Sequence, residues 1–368
     1  MKLESFSAED FRNIEKISFE PSPGINIIFG ENAQGKTNLI ESIWLFTGFR
    51  SFRTMRTSEL VREGQDMAKL SCDFFSRDRS QNAQMFIDKK RQVKINGISQ
   101  ETPRKLMGEF KAVVFSPQSL ALIQGGPAEK RKFLDIAISL VRPNYAVFIS
   151  RYLKIMSHRN ALLRQMSRGK YKYNEKALEP WDYELAKTGA RILNYRYEYL
   201  EKLSGPVKDV YEGISAGKEQ ISIEYSPSFK SPKKGEEAVR EAMLEALLKS
   251  RDSDLRRQAT GVGPHKDDLL IKINDLCART YGSQGQQRSC ALALKLGEAA
   301  VIKKETDEKP IALLDDVMSE LDAGRQKYFL DFLEGWQVFI TCCDPSILDR
   351  SQTGKVFEMK AGKLSPAE

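Results

Sequence analysis

At 368 residues the chain is too long for one ordinary hydrophobic core, so two lobes are expected. Its 41% apolar and 29% charged residues are those of a globular chain rather than a disordered one, and no apolar run approaches a membrane span. A net charge of +8 and a pI near 9.0 permit a nucleic-acid partner without requiring one.

The N-terminal stretch MKLESFSAEDF lacks the apolar core of a signal peptide, which points to the cytoplasm. Short strands are expected next: KLESFSAEDF and IEKISFE alternate, and GINIIFG is a β-branched run that stops at Gly30. NLIESIWLFTGF has helical spacing, AKLSCDFFSR and AQMFIDK read as strands, and Asn96-Gly97 within QVKINGISQ is a hairpin-turn signal. KAVVFSPQ is a buried strand that stops at Pro117. From Ser119 to about Ala259 the pattern turns mostly helical, with breaks at Arg142-Pro143, Gly169, Gly205-Pro206 and Lys230–Gly235 and no sustained heptad. After Leu269 the α/β character returns: DLLIKIN, IALLDD and WQVFITCCD read as strands, and Ser283 opens a helix. An α/β lobe made of residues 1–118 and 269–368 is thus expected, interrupted by a mainly helical lobe over 119–268, with the polar run 281–288 near the lobe junction.

The cysteines (Cys72, Cys277, Cys290, Cys342, Cys343) show neither C-x-x-C nor C-x-x-H spacing, which argues against a disulfide framework or a zinc site. Buried free thiols are expected. Basic residues cluster twice. Arg50, Arg53, Arg56 and Arg62 follow the first helix, and Arg151, Lys154, Arg159, Arg164, Arg168, Lys170, Lys172 and Lys176 interleave with Tyr152, Tyr171 and Tyr173.

Gly30-Glu-Asn-Ala-Gln-Gly35-Lys36-Thr37 fits the phosphate-loop pattern G-x-x-x-x-G-K-[ST] between a strand and a helix. Its glycines let backbone N–H groups curl around phosphates, Lys36 would reach the β/γ-phosphates and Thr37 would ligate Mg²⁺. The apolar run Ile311–Leu314 ends in Asp315 and Asp316. Asp315 would help hold Mg²⁺, and Asp316 stands where a general base or water-orienting group is needed. These two motifs predict an ATP- and Mg²⁺-dependent P-loop NTPase and nothing finer. Farther along, Ser283 is a fitting helix N-cap and Gly285 permits close backbone approach, which makes a second anion site.

SQGQQR, Ser283 to Arg288, closely resembles the signature SGGQQR of ABC-type ATPases, with Gln284 at the first Gly. In that family the signature docks on the γ-phosphate held by a second subunit, so the resemblance implies an ATP-dependent head-to-tail homodimer, with Ser283, Gly285 and Gln286 contacting nucleotide. Val317-Met-Ser319-Glu320-Leu321-Asp322 is similar to the D-loop, and Phe115-Ser-Pro117-Gln118 to the Q-loop, whose Gln contacts Mg²⁺ or water. Where most of the family carries a switch His, this chain reads Ile340-Thr341-Cys342-Cys343-Asp344. Phe11-Arg12-Asn13 ahead of GENAQGKTNLIESI resembles the heads of SMC-type proteins and their RecF relatives, and Thr260-Gly-Val-Gly-Pro264-His265-Lys-Asp267-Asp268-Leu269 resembles a block of the RecF family.

The resemblance to that family runs in order over essentially the whole chain. It implies an ABC-type head, with a mixed sheet and flanking antiparallel strands, plus a mainly helical second lobe. It adds Arg12, Asn13, Asn32, Ala33, Gln34 and Asn38 to the nucleotide-contacting set. It further implies recombinational repair of gaps with RecR and RecO, help in loading RecA, ATP-dependent DNA binding, weak ATP hydrolysis and no membrane partner. A helical insertion of this length, basic in part, favours DNA over the alternative of a transport-type ATPase driving a membrane partner. Arg50, Arg53, Arg56, Arg159, Arg164, Arg168, Lys170 and Lys172 are the candidate phosphate contacts.

Overall fold

The computed structural model describes residues 1–54, 56–168, 175–232, 235–344 and 353–367. In chain order, β1 (Lys2–Phe11) and β2 (Ile14–Phe19) form a hairpin, and β3 (Ile25–Phe29) leads through the phosphate loop into α1 (Lys36–Trp44). Next come β4 (Ala68–Ser76), β5 (Arg79–Ile87), β6 (Arg91–Ile95), β7 (Ile98–Gln100) and β8 (Ala112–Phe115). The helical stretch is α2 (Ala121–Gln124), α3 (Pro127–Val141), α4 (Asn144–Ser167) and α5 (Glu175–Ser215), then β9 (Ile221–Ser226) and α6 (Glu236–Arg257). The chain continues with β10 (Asp268–Ile273), β11 (Leu276–Cys277), α7 (Ala278–Tyr281), α8 (Gln284–Thr306), β12 (Ile311–Asp315) and α9 (Ala323–Phe332). It closes with β13 (Val338–Cys342), β14 (Thr353–Lys360) and β15 (Lys363–Pro366).

Two compact units result: Met1–Leu120 with Gly213–Ala216 and Leu292–Glu368, and Ala121–Glu212 with Gly217–Ala291. The first unit holds two six-stranded sheets. One is antiparallel, in the order β2-β1-β4-β5-β6-β7. Its alternation is that of a sheet with one buried face: Leu3, Phe6, Ala8 and Phe11 of β1 are buried with Leu70, Cys72 and Phe74 of β4. Asn96 (φ 50°) and Gly97 (φ 79°) make the tight turn between β6 and β7.

The other sheet is mixed, in the order β15-β14-β3-β13-β12-β8, with β15 as its antiparallel edge. Every residue of β12 and β13 is buried, as expected for parallel strands covered on both faces. Because β3, β13 and β12 run parallel, their carboxyl ends lie along one edge, where open α/β sheets hold ligands.

The second unit is mainly helical and carries one small sheet, β11-β10-β9. Three sequence expectations change. The ISIEYS segment is a strand inside the nominally helical stretch, because its alternating side chains pair with β10 from Ile221↔Ile273 to Ser226↔Asp268. Residues 269–291 group with the second unit rather than with the head. Gly205-Pro206 does not break the chain: Pro206 lies inside α5, whose buried Leu203, Val207, Val210 and Tyr211 on either side outweigh its cost of about 3 kcal/mol.

All five cysteines are free, yet Cys277 and Cys343 are exposed rather than buried. Among the described residues no helix is long and apolar enough to cross a membrane.

Candidate functional site

Beyond β3 the backbone leaves the sheet through conformations that only a few residues tolerate. Gly30 has a φ of 154°, and a Cβ there would stand 2.3 Å from the Met359 carbonyl oxygen. Gly35, the N-cap of α1, has a φ of 115° and would push a Cβ to 2.8 Å from Asn13 Oδ1. With Ala33 also left-handed at φ 64°, the loop curls into an arc of the kind that collects N–H groups on its inner side. The Lys36 ammonium donates to the Gly30 and Glu31 carbonyls and lies 3.9 Å from Cys343 Sγ.

Thr37 Oγ1 donates to Asp315 Oδ1 at 2.7 Å, joining the phosphate loop to the end of β12. Burial pushes the Asp315 carboxyl above its usual range, and the hydroxyls of Thr37 and Thr341 offset part of that. Asp316 adopts a φ of 54°, and its N–H donates to Thr341 Oγ1 at 3.0 Å.

An open pocket of about 360 Å³ is lined by Asn13, Asn32, Ala33, Gly35, Lys36, Thr37, Asn38, Arg53, Asp315, Asp316 and Thr341. A buried carboxylate beside a loop hydroxyl fits a hard divalent cation, and no cluster of three acidic, His or Cys side chains competes for one among the described residues. Such a site suits Mg²⁺, which takes one or two protein oxygens and completes its shell with water and phosphate oxygens.

Seven expected residues fall outside the pocket lining: Ser283, Gly285 and Gln286 of the second unit, and four of the first. Gly30 acts through backbone shape. Gln34 is tied to the β14–β15 turn, where its side chain accepts from Ala361 N–H at 2.6 Å and its carbonyl from Gly362 N–H at 2.9 Å. Arg12 donates to both oxygens of the fully buried Glu41, at 3.0 and 2.8 Å. Gln118 sits exposed in the turn Pro117–Leu120.

Two pocket residues were not assigned there from sequence. Arg53, expected on DNA, is held by Asn38 Oδ1 at 2.6 Å and by Glu41 at 3.6 Å. Thr341 entered the sequence reading only as part of the segment that lacks a His. Its pairing with Asp315 across β12 and β13 is the signal that identifies it.

Ser283, Gly285 and Gln286 belong to the second unit. Ser283 Oγ accepts from Gln286 N–H at 3.2 Å while Gln286 Oε1 accepts from Ser283 N–H at 2.7 Å, a reciprocal capping box that opens α8. Gln287 stiffens the approach by donating to the carbonyls of Ala278, Arg279 and Gly282. Ser283 itself remains exposed.

His265 is a structural residue. Its Nε2 lies 3.0 Å from the Thr260 carbonyl and must donate to it, which leaves Nδ1 to accept from Tyr152 Oη at 2.8 Å. Burial accordingly holds its pKa down to about 4.

Among the DNA candidates Arg159 is corrected: it is fully buried, bonded to Asp182 at 2.6 Å and to Asp254 at 2.7 Å. Arg164 and Arg168 are exposed at the end of α4, and Lys170 and Lys172 lie outside the described residues. Arg50 and Arg56 line a second pocket of the first unit, of about 400 Å³, with Lys89, Lys90 and Arg91.

The family described as the RecF/RecN/SMC N terminal domain matches residues 2–364. The DNA replication and repair protein RecF of Acetivibrio thermocellus is 37% identical over 362 residues, covering 96% of each chain. That of Thermoanaerobacter sp. strain X514 is 41% identical over 343 residues, covering 93% of this chain and 94% of its own. A solved structure of the recombination mediator protein RecF-ATP in the RecFOR pathway superposes with a TM-score of 0.93 at 37% identity, covering 100% of this chain and 98% of that one. An SMC head bound to the C-winged helix domain of ScpA shares the fold, with a TM-score of 0.58 at 15% identity over 100% of this chain and 97% of that one. The chain has the ABC-type ATPase fold of SMC heads and belongs to the RecF/RecN/SMC family and, within it, to the RecF proteins.

Proposed function

We propose that the chain is an ATP-dependent DNA-binding protein of recombinational repair and gap processing, which dimerises on ATP and hydrolyses it slowly. The observation that carries this reading is the convergence of the phosphate loop, Asp315 and Asp316 at the carboxyl ends of β3, β13 and β12, around a pocket large enough for phosphates. Lys36 and the backbone of the loop would bind the β/γ-phosphates. Thr37 and Asp315 would hold Mg²⁺, and Asp316 would orient the attacking water. ATP supplies the transferable phosphoryl group and Mg²⁺ the charge that offsets it. Gln118 joins the site, on this reading, only when nucleotide is bound.

The exposed Ser283 at the start of α8 is the group that would meet the γ-phosphate of a second copy. Relatives act in the RecFOR pathway, and we assign this chain RecR as partner, with RecO and RecA downstream.

DNA binding is supported by the second pocket. Arg50, Arg56, Lys89, Lys90 and Arg91 face it against the single carboxylate of Glu101. Burial, and after it the charge of Arg50, hold the Arg91 guanidinium down to about 10, and five cations around one carboxylate leave room for further anions. A phosphate backbone supplies those anions.

Reversing the charge at Lys89, Lys90 and Arg91 together should weaken duplex binding with ATP and flatten its salt dependence, read by fluorescence anisotropy across a salt series. An unchanged affinity and slope would remove this surface from the account. Duplex or junction DNA should also raise the ATPase rate of the parent protein, which a transport-type ATPase would not show.

A further inference from the structure

We infer that Thr341 is a positioning residue that holds both acids of the nucleotide site through one hydroxyl. The inference rests on the reading of Asp315 as metal ligand and Asp316 as water-orienting group.

β13 lies beside β12 in parallel, with Thr341 opposite Asp315, so the two side chains share a face of the sheet. Thr341 is 1% exposed yet lines the nucleotide pocket. Its oxygen accepts from Asp316 N–H at 3.0 Å and lies 3.1 Å from Asp315 Oδ1 and 3.3 Å from the Leu314 carbonyl. A hydroxyl has one proton and two lone pairs, so the proton goes to the nearer, charged Asp315 oxygen while a lone pair takes the Asp316 N–H. Asp315 Oδ1 then receives two hydroxyls, from Thr341 and Thr37. Among the described residues no side chain or backbone group donates to Oδ2, which leaves that oxygen for a cation.

Asp316 needs the other half of the arrangement. Its φ of 54° is unfavourable for any residue with a Cβ, and a fixed N–H partner keeps it from relaxing. Ser319 Oγ adds a second tie by donating to the Asp316 carbonyl at 2.9 Å. Valine at position 341 would fill the same space and keep the strand, but it would leave the Asp316 N–H unpaired and remove one donor from Asp315. A Thr that merely packs in β13 would survive that change without any effect on metal or turnover.

The test compares the full chain with Thr341→Val, Thr341→Ser, Asp315→Asn and Asp316→Asn. Four quantities are read: thermal midpoint, affinity for a fluorescent ATP analogue in EDTA, Mn²⁺ affinity of the nucleotide complex by electron paramagnetic resonance, and kcat against KM. Thr341→Val should remain folded and bind the analogue within about twofold of the parent, while Mn²⁺ affinity and kcat each fall about tenfold and KM hardly moves. Thr341→Ser should recover both. Should Thr341→Val not fold, Thr341→Cys, which keeps the volume and bonds weakly, carries the same comparison against Ser.

The inference is overturned if Thr341→Val keeps parental Mn²⁺ affinity and kcat, or if Thr341→Ser is as impaired as Val. If Asp315→Asn and Asp316→Asn also keep both quantities, the reading of the site fails. If only those two lose them, the role of Thr341 alone fails.

Discussion

Glu41 holds two arginines that are far apart in the sequence, Arg12 and Arg53. Its carboxylate, fully buried on α1, takes Arg12 in a bidentate pair and lies 3.6 Å from Arg53, which lines the phosphate-loop pocket. Neither placement was legible, because the partner is distant in sequence: Arg12 and Glu41 are 29 residues apart. Arg159 makes the same point, with Asp254 as its partner 95 residues away. A run of basic residues reads as a solvated face until its buried carboxylates are known. The phosphate loop was legible because every group it needs is local.

His265 gives a residue-scale prediction with a definite sign. Its folded pKa of about 4 lies below the usual 6.5, so the unfolded chain binds a proton between those values and the folded chain does not. The contribution to stability is complete above pH 6.5 and is lost as pH falls through about 4. Denaturant unfolding of His265→Gln should depend less steeply on pH in that window, the integrated difference reaching about 3 kcal/mol. Equal slopes for parent and variant would contradict the buried neutral imidazole.

At the scale of elements, the strands around the site declared themselves through composition. IALLD is apolar until its last residue, and every position of it is buried. β9 did not, since a six-residue alternation among long helical patterns is decided by its pairing with β10, which lies more than forty residues on. Pro206 misled for a related reason: local propensity is overridden when both flanks of a long helix are packed.

The start of α8 is the element on which dimerisation depends in this account. Its capping box has a local worth, and Ser283→Ala should lower stability by about 1 kcal/mol in denaturant unfolding. That loss should be accompanied by weaker ATP-driven association, because the same serine is assigned to a second copy. Loss of stability with unimpaired association would leave Ser283 a cap and nothing more.

For the whole molecule the order of motifs carried most of the reading. The phosphate loop comes before the mainly helical unit, the run SQGQQR lies within it and the Asp-ended strand follows it, and RecF proteins match the chain over nearly its whole length. What the order of motifs did not fix was which basic residues gather: Lys89, Lys90 and Arg91 meet Arg50 and Arg56 only through the turn between β5 and β6. If ATP joins two copies and hydrolysis parts them, nucleotide state sets how long the pair stays on DNA.

The most direct test is the mass in solution, by light scattering, with ATP, with ADP and without nucleotide, for the parent, Lys36→Ala and Ser283→Arg. The account predicts that ATP alone doubles the mass of the parent, that Lys36→Ala neither binds ATP nor doubles, and that Ser283→Arg binds ATP yet stays single. A Ser283→Arg protein that doubles normally with ATP would contradict it.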